Sequence, residues 1–261
     1  MMIPENVKPL INQFSSELEQ LPTDLIKGVY LYGSIALGSF EKERSDIDFV
    51  VVFNRPIQED EVKTLENIHE NLRQHPYGNR FDGVYIKEEN LGKSNYELDP
   101  YFYISEGSLE KGHWDINAVT WWIMKHHGIT VKGTPVEELS LHVEWSDVQK
   151  AMRYNIEHYW KEKKLQQFLE DDWVLSCVET NVRILCTMKK GEIIPKTKAM
   201  QEAKDWIGED WHPVLDEALR IRFGNEEESY FSSMLMRAQT VVNFTDYIRS
   251  ACEPYFATSK Q

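Results

Sequence analysis

The sequence predicts an α/β domain over residues 1–147, followed by an all-α helical bundle over residues 148–261. Three observations carry that expectation. Short Val-rich apolar runs alternate with amphipathic helical stretches in the first half. That alternation stops after Trp145-Ser146. From there apolar residues recur at helical spacing almost to the end of the chain.

Val7, Leu10, Ile11, Phe14, Leu18 and Leu21 mark a first amphipathic helix that ends at Pro22. A strand is expected over residues 28–32, then a turn at Gly33-Ser34 and a brief helical stretch closed by Gly38. Residues 46–53 read as a second strand, and 60–74 as a helix with Val62, Leu65, Ile68 and Leu72 on one face. Residues 81–86 make a third strand. A helix opens at Asp115, turns Ile116, Val119 and Ile123 inward, and ends at Gly128. Residues 129–131 suit a short edge strand. In the second half Ser146 is the expected N-cap of a helix. Met152, Ile156 and Tyr159 form one apolar stripe, Val174, Val178, Val182 and Leu185 a second, and Ala238, Val241, Phe244 and Ile248 a third. Such stripes are buried only against one another, hence the bundle.

The net charge of -14 disfavours polyanionic partners, so neither nucleic acid nor an anionic membrane surface is expected. A cationic ligand would be attracted. Cys177, Cys186 and Cys252 are too few and too widely spaced for a disulfide framework or a structural zinc site. The N-terminal residues lack a signal-peptide pattern, and no apolar run is long enough to span a bilayer. A soluble, cytoplasmic monomer is expected.

The chemistry concentrates at Gly33-Ser34 and, eleven residues further on, Asp46-Ile47-Asp48. Strand side chains alternate, so Asp46 and Asp48 share one face about 6–7 Å apart while Ile47 and Phe49 enter the core. Two like charges side by side are unfavourable unless a divalent cation lies between them, and magnesium takes such hard oxygen ligands. A strand-to-helix turn at Gly33-Ser34 offers backbone N–H groups and a hydroxyl to phosphate. Asp82, in the third strand, adds another carboxylate to the cleft if the strands pair. The trio suits two-metal phosphoryl transfer, or two metal ligands with a third group as general base.

Leu31-Tyr32-Gly33-Ser34 with Arg44-Ser45-Asp46-Ile47-Asp48 resembles the signature of the polymerase-β-like nucleotidyltransferases. More narrowly, the chain is similar to the streptomycin/spectinomycin adenylyltransferases of the aminoglycoside nucleotidyltransferase family. That likeness runs through Asp115, His127-Gly128-Ile129, Gly133-Thr134-Pro135 and the stretch Arg183 to Lys196, where Gly191-Glu192-Ile193-Ile194-Pro195-Lys196 matches the family's pattern. It implies a nucleotidyltransferase domain followed by a helical domain. It also implies AMP transfer from ATP to a hydroxyl of a cationic antibiotic, with magnesium, two ions, as cofactor. Position by position, Ser34 and Ser45 would touch the triphosphate, and Asp46 and Asp48 would hold magnesium. Asp82 would stand where the family has its base. Asp115, Arg183 and Lys196 would contact ATP, and Glu106 and Asp172 would bind the drug. The family's base is usually glutamate, one methylene longer than Asp82.

The alternative is a nucleotidyltransferase of the same core acting on another small molecule or on a protein hydroxyl. A third reading is a degenerate protein that binds without turnover, and the intact acidic triplet argues against it. Trp114, Trp121 and Trp122 read as core and cleft wall, His126-His127 as the cationic end of a helix, and Glu226-Glu227-Glu228 as a solvated helix start. Asp171 and Asp172 could meet ammonium or guanidinium groups.

Overall fold

A computed structural model describes residues 2–114, 116–224 and 228–257. They group into two compact units, Met1–Trp145 and Ser146–Gln261.

In the first unit, helix α1 (Lys8–Glu17) buries Leu10, Ile11 and Phe14, residues that fall on one face at helical spacing. Strand β1 (Ile26–Leu31) leads into the short helix α2 (Gly33–Ala36), and β2 (Ile47–Phe53) follows. Helix α3 (Glu59–Leu72) connects β2 to β3 (Phe81–Lys87). Its N-terminus is tied by Glu61, whose carboxylate accepts from the Gln58 N–H at 2.8 Å and from both ends of the Arg55 guanidinium. A hairpin, β4 (Tyr101–Ser105) and β5 (Ser108–Gly112), comes next. Helix α4 (Ala118–His127) and β6 (Ile129–Gly133) complete the unit. Helix α4 starts later than the sequence suggests. The Asn117 side chain accepts from the Val119 N–H and caps it, so the helix begins at Ala118.

The sheet runs β5-β4-β3-β2-β1-β6, which puts β6 at an edge. Strands β2 and β3 are parallel, as a helical crossover through α3 requires, and the other four pairings are antiparallel. Under β2 and β3 lies an aromatic core. Phe49 stacks on Phe81 with ring centroids 4.4 Å apart, and Phe14 meets Phe81 edge-on at 4.8 Å. His69 is buried among these rings, with Nε2 2.5 Å from the Tyr85 hydroxyl. Burial pushes its imidazole down to about 3, so it is neutral core material. Phe49 and Phe81 directly neighbour Asp48 and Asp82 in sequence, so their burial on one face commits the two carboxylates to the other.

The second unit begins with α5 (Trp145–Tyr154), which starts one residue before the expected cap Ser146 and takes that residue into its first turn. It runs on as a π-helical turn over Asn155–Trp160. A π turn inserts one residue into the helical register. Met152 and Ile156 are buried as expected, but Trp160 takes the inward position and Tyr159 is left 43% exposed. Helix α6 (Asp171–Lys190) is the centre of this unit and packs against α7 (Lys196–Glu202), α8 (His212–Phe223) and α9 (Met234–Ala257). Its stripe of Val174, Val178, Val182 and Leu185 is buried, as is the α9 stripe of Ala238, Val241, Phe244 and Ile248. The three cysteines are buried, free thiols. Glu226 and Glu227 lie outside the described residues, and Glu228 is exposed and non-helical. Among the described residues no helix is long and apolar enough to cross a membrane.

A buried ionic network closes the bundle. Glu217 of α8 accepts from Arg220, Arg237, the Ser229 hydroxyl and the Tyr230 N–H. Burial alone would raise its carboxyl, but those hydrogen bonds win and hold it down at about 2. Arg237 of α9, 3% exposed, also donates to the Leu169 carbonyl and to Asp171 at 2.6 Å. Asp171 is therefore engaged by Arg237 within its own unit, although its side chain stays 54% exposed.

Candidate active site

The parallel register of β2 and β3 pairs Asp48 with Asp82. Residues paired across parallel strands project from the same face, with backbones about 4.8 Å apart. Asp46 lies just before β2 and is exposed, while Ile47 and Phe49 are buried, so the alternation expected of Asp46-Ile47-Asp48 is present. Behind the carboxylates, the Tyr32 N–H donates to the Asp48 carbonyl at 3.0 Å and joins the Gly33-Ser34 turn to β2. Gly33 has φ +60°, a conformation that favours glycine. A side chain there would also meet Asp48 Oδ2 at 1.8 Å.

Burial first, then the charge of Asp46, with smaller contributions from Asp48 and Glu106, pushes the Asp82 carboxyl up to about 7. A hydrogen bond opposes the shift: the Glu106 N–H donates to Asp82 Oδ1 at 3.1 Å. A carboxylate poised near neutrality in a field of its own sign can either take a proton or accept a cation. Among the described residues no three His, Cys, Asp or Glu side chains converge into a ready metal cage. Magnesium usually binds through one or two carboxylates plus substrate phosphates and waters, so the donor set fits an ion that arrives with a nucleotide.

Glu106 sits at the tip of the β4–β5 hairpin, where Ser105 pairs with Ser108. Both turn residues, Glu106 (φ 51°) and Gly107 (φ 74°), are left-handed, as two-residue hairpins of this twist require. Glutamate is a poor residue for that conformation, and strain of this kind points to function. The carboxylate of Glu106 is exposed.

Ser34 Oγ is buried without a hydrogen-bond partner, an orphan hydroxyl in the turn beside Asp48. Ser45 is engaged: its Oγ accepts from the Glu41 N–H at 2.9 Å and its own N–H donates to the Glu41 carbonyl. Asp115 lies outside the described residues. The aromatics behave as walls. Trp121 is fully buried and donates to the Lys93 carbonyl, Trp114 stacks on Tyr103 at 5.1 Å, and Trp122 packs on His126 at 4.1 Å.

In the second unit, Arg183 Nε donates to the Ile194 carbonyl at 2.7 Å, two residues before Lys196 at the start of α7. Asp172 is exposed in the first turn of α6, where a negative charge also suits the helix dipole.

Residues 11–99 match the nucleotidyltransferase domain family, and residues 142–251 match the C-terminal domain of the aminoglycoside adenylyltransferases. The chain belongs to the aminoglycoside adenylyltransferase family. It is a nucleotidyltransferase, and the family's reaction is AMP transfer from ATP to an aminoglycoside hydroxyl. Among solved structures it is similar to the spectinomycin adenyltransferase AAD(9) from Enterococcus faecialis, crystallised with ATP and spectinomycin. The TM-score is 0.65 at 19% identity, covering 92% of this chain and 99% of that one, so the two share a fold. A STING-associated c-di-GMP synthase, CdnE from Capnocytophaga granulosa, aligns at 12% identity over 96% of this chain and 81% of that one, but its TM-score of 0.27 is too low to indicate a common fold. No curated protein matches the chain.

The acidic ledge of this adenylyltransferase lies at the N-terminal ends of β2 and β3. A cleft of about 390 Å³ opens at their other ends, lined by Phe53, Tyr85, Lys87, Phe102 and Lys111, and takes no part in the ledge. Sequence reasoning missed the β4–β5 hairpin that hands Asp82 a hydrogen bond. The signal was present in the run Tyr101-Phe102-Tyr103-Ile104 followed by Glu106-Gly107. It also missed Glu179, a buried carboxylate beside Lys196.

Proposed function

We propose that Asp82 is the base of this adenylyltransferase, that Asp46 and Asp48 hold two magnesium ions, and that the acceptor is a streptomycin- or spectinomycin-type antibiotic. The observation that carries this reading is the Asp48–Asp82 pair on one face of the parallel strands, with Asp82 pushed up to about 7. Magnesium, when bound, offsets the charge on the triphosphate and polarises the α-phosphate. Ser34 and Ser45 orient the phosphates from the first unit, and Arg183 and Lys196 of the second unit supply cations to ATP, as does Asp115 a polar contact. Asp82 takes the proton from the acceptor hydroxyl as that oxygen bonds to the α-phosphorus and pyrophosphate leaves. Glu106 and Asp172 bind the drug's ammonium or guanidinium groups. The enzyme works as a cytoplasmic monomer, where ATP is supplied, without nucleic acid or membrane.

Drug-dependent pyrophosphate release from ATP, measured over a panel of aminoglycosides and aminocyclitols, tests the proposal. Release with spectinomycin or streptomycin that stops with EDTA and returns with magnesium is expected. Release with none of the panel removes the acceptor assignment, and release that survives EDTA removes the metal role of Asp46 and Asp48.

A further inference from the structure

Glu179 lies inside α6, 4% exposed, with its two carboxylate oxygens divided between different helices. Oε1 accepts from Arg222 Nη1 at the end of α8. Oε2 stands 4.0 Å from Lys196 Nζ at the start of α7. One turn further along α6, Arg183 holds the Ile194 carbonyl, two residues before Lys196. Two cations from two other helices, Arg222 and Lys196, therefore stand at a single carboxylate.

A purely structural pair would need only one cation. Arg222, with its side chain 10% exposed, already satisfies that need for Glu179. Lys196 is different: its side chain is 53% exposed, and its ammonium stands 4.0 Å from Glu179, beyond hydrogen-bond distance. Lysine is a flexible point charge on a four-carbon stem, and ordering it costs side-chain entropy. A fixed anion beneath it removes that cost before any ligand arrives.

We propose that the buried Arg222–Glu179 pair is a positioning device that fixes the Lys196 ammonium for the phosphates of ATP. This rests on the reading that Lys196 contacts ATP. Arg222 clamps the carboxylate, the carboxylate sets the lysine, and the local charge of the four groups Arg183, Lys196, Arg222 and Glu179 stays at two positive. That excess suits a polyphosphate.

The sign of one substitution separates positioning from plain charge balance. If Glu179 only neutralised its neighbours, Glu179→Gln would leave more positive charge and bind ATP more tightly. A positioning role requires the opposite. Calorimetry with magnesium–ATP on the full chain is expected to show about tenfold weaker binding for Glu179→Gln, the loss of roughly one charge-assisted contact. The KM for the antibiotic should change less than twofold. The double variant Glu179→Gln/Lys196→Ala should bind ATP no more weakly than Lys196→Ala alone. Glu179→Asp, which keeps the charge but shortens the arm, serves if the Gln form does not fold, and it too should weaken ATP binding at near-parental Tm. Unchanged or tighter ATP binding by the folded Glu179 variants overturns the proposal, as does full additivity in the double variant. If Lys196→Ala itself leaves ATP affinity intact, the underlying reading of Lys196 falls and the proposal with it. That outcome is distinct, because it is read on the lysine variant alone.

Discussion

Gly33 and Asp48 are in contact across the turn: a methyl group on Gly33 would stand 1.8 Å from Asp48 Oδ2. The absence of a side chain at one position thus sets where a carboxylate lies at the other. Gly33→Ala is expected to cost about 1–2 kcal/mol through its left-handed backbone, and to lower turnover far more than that loss alone would. Thermal melting and steady-state rates on the same variant check this. A rate that follows the fraction folded would mean that Asp48 can move aside freely.

Asp82→Asn keeps the shape of the side chain and removes its basic site. Turnover should fall by about 10²–10⁴, with ATP affinity kept. A parallel fall in ATP affinity would instead mark Asp82 as a metal ligand.

The same variant makes a pH prediction in metal-free protein. The folded carboxyl titrates at about 7, above its ordinary 3.8, so the folded state holds this proton more tightly than the unfolded chain. Its contribution to stability is fully present below about 4 and is lost as pH rises to 7. Asp82→Asn should therefore melt above the parent at pH 8 and level with it at pH 4. An equal difference in Tm at both pH values would contradict the buried, like-charged setting.

Glu106 occupies a left-handed position that asparagine tolerates better. Glu106→Asn is expected to leave the fold as stable or raise it by up to about 1 kcal/mol, while weakening antibiotic binding and making it less sensitive to salt. Titration at two ionic strengths decides: unaltered drug affinity would place the binding acid elsewhere.

Arg237, buried in the second unit, bridges the buried Glu217 and the exposed Asp171. Removing it takes away one of the two cations on a buried carboxylate that Arg220, Ser229 and the Tyr230 N–H still hold, so Arg237→Ala should cost about 1.5–3 kcal/mol. In the parent, Glu217 is held down at about 2, so its contribution is present above about 4.5 and is lost as pH falls toward 2. Denaturant melts at pH 7 and pH 3 should show a smaller penalty for the variant in acid.

The β2 and β3 carboxylates were legible because a strand's period of two leaves no freedom: burying Ile47, Phe49 and Phe81 places Asp48 and Asp82. Stripes on α6 and α9 were legible for the same kind of reason. Strand β5, Ser-Leu-Glu-Lys-Gly, was not, because an edge strand with one face in water carries no apolar alternation. Tyr159 and Trp160 exchanged places because a π turn leaves no mark in side-chain chemistry. The fate of Asp171 depends on Arg237, sixty-six residues away, and that of Lys196 on Glu179. Pairings of that kind come from helix packing, which local pattern does not encode.

Cys177, Cys186 and Cys252 are each 0% exposed, and burial pushes all three thiols up to about 12. Maleimides and other thiol-selective reagents require an accessible thiolate, so the native protein should resist them. One cysteine introduced at an exposed position in each unit, for example at Glu43 and Asp210, would then be the pair that reacts. A donor and an acceptor dye could be attached without first removing the natural residues. The spacing of the two units could be followed by energy transfer as ATP and antibiotic are added in either order.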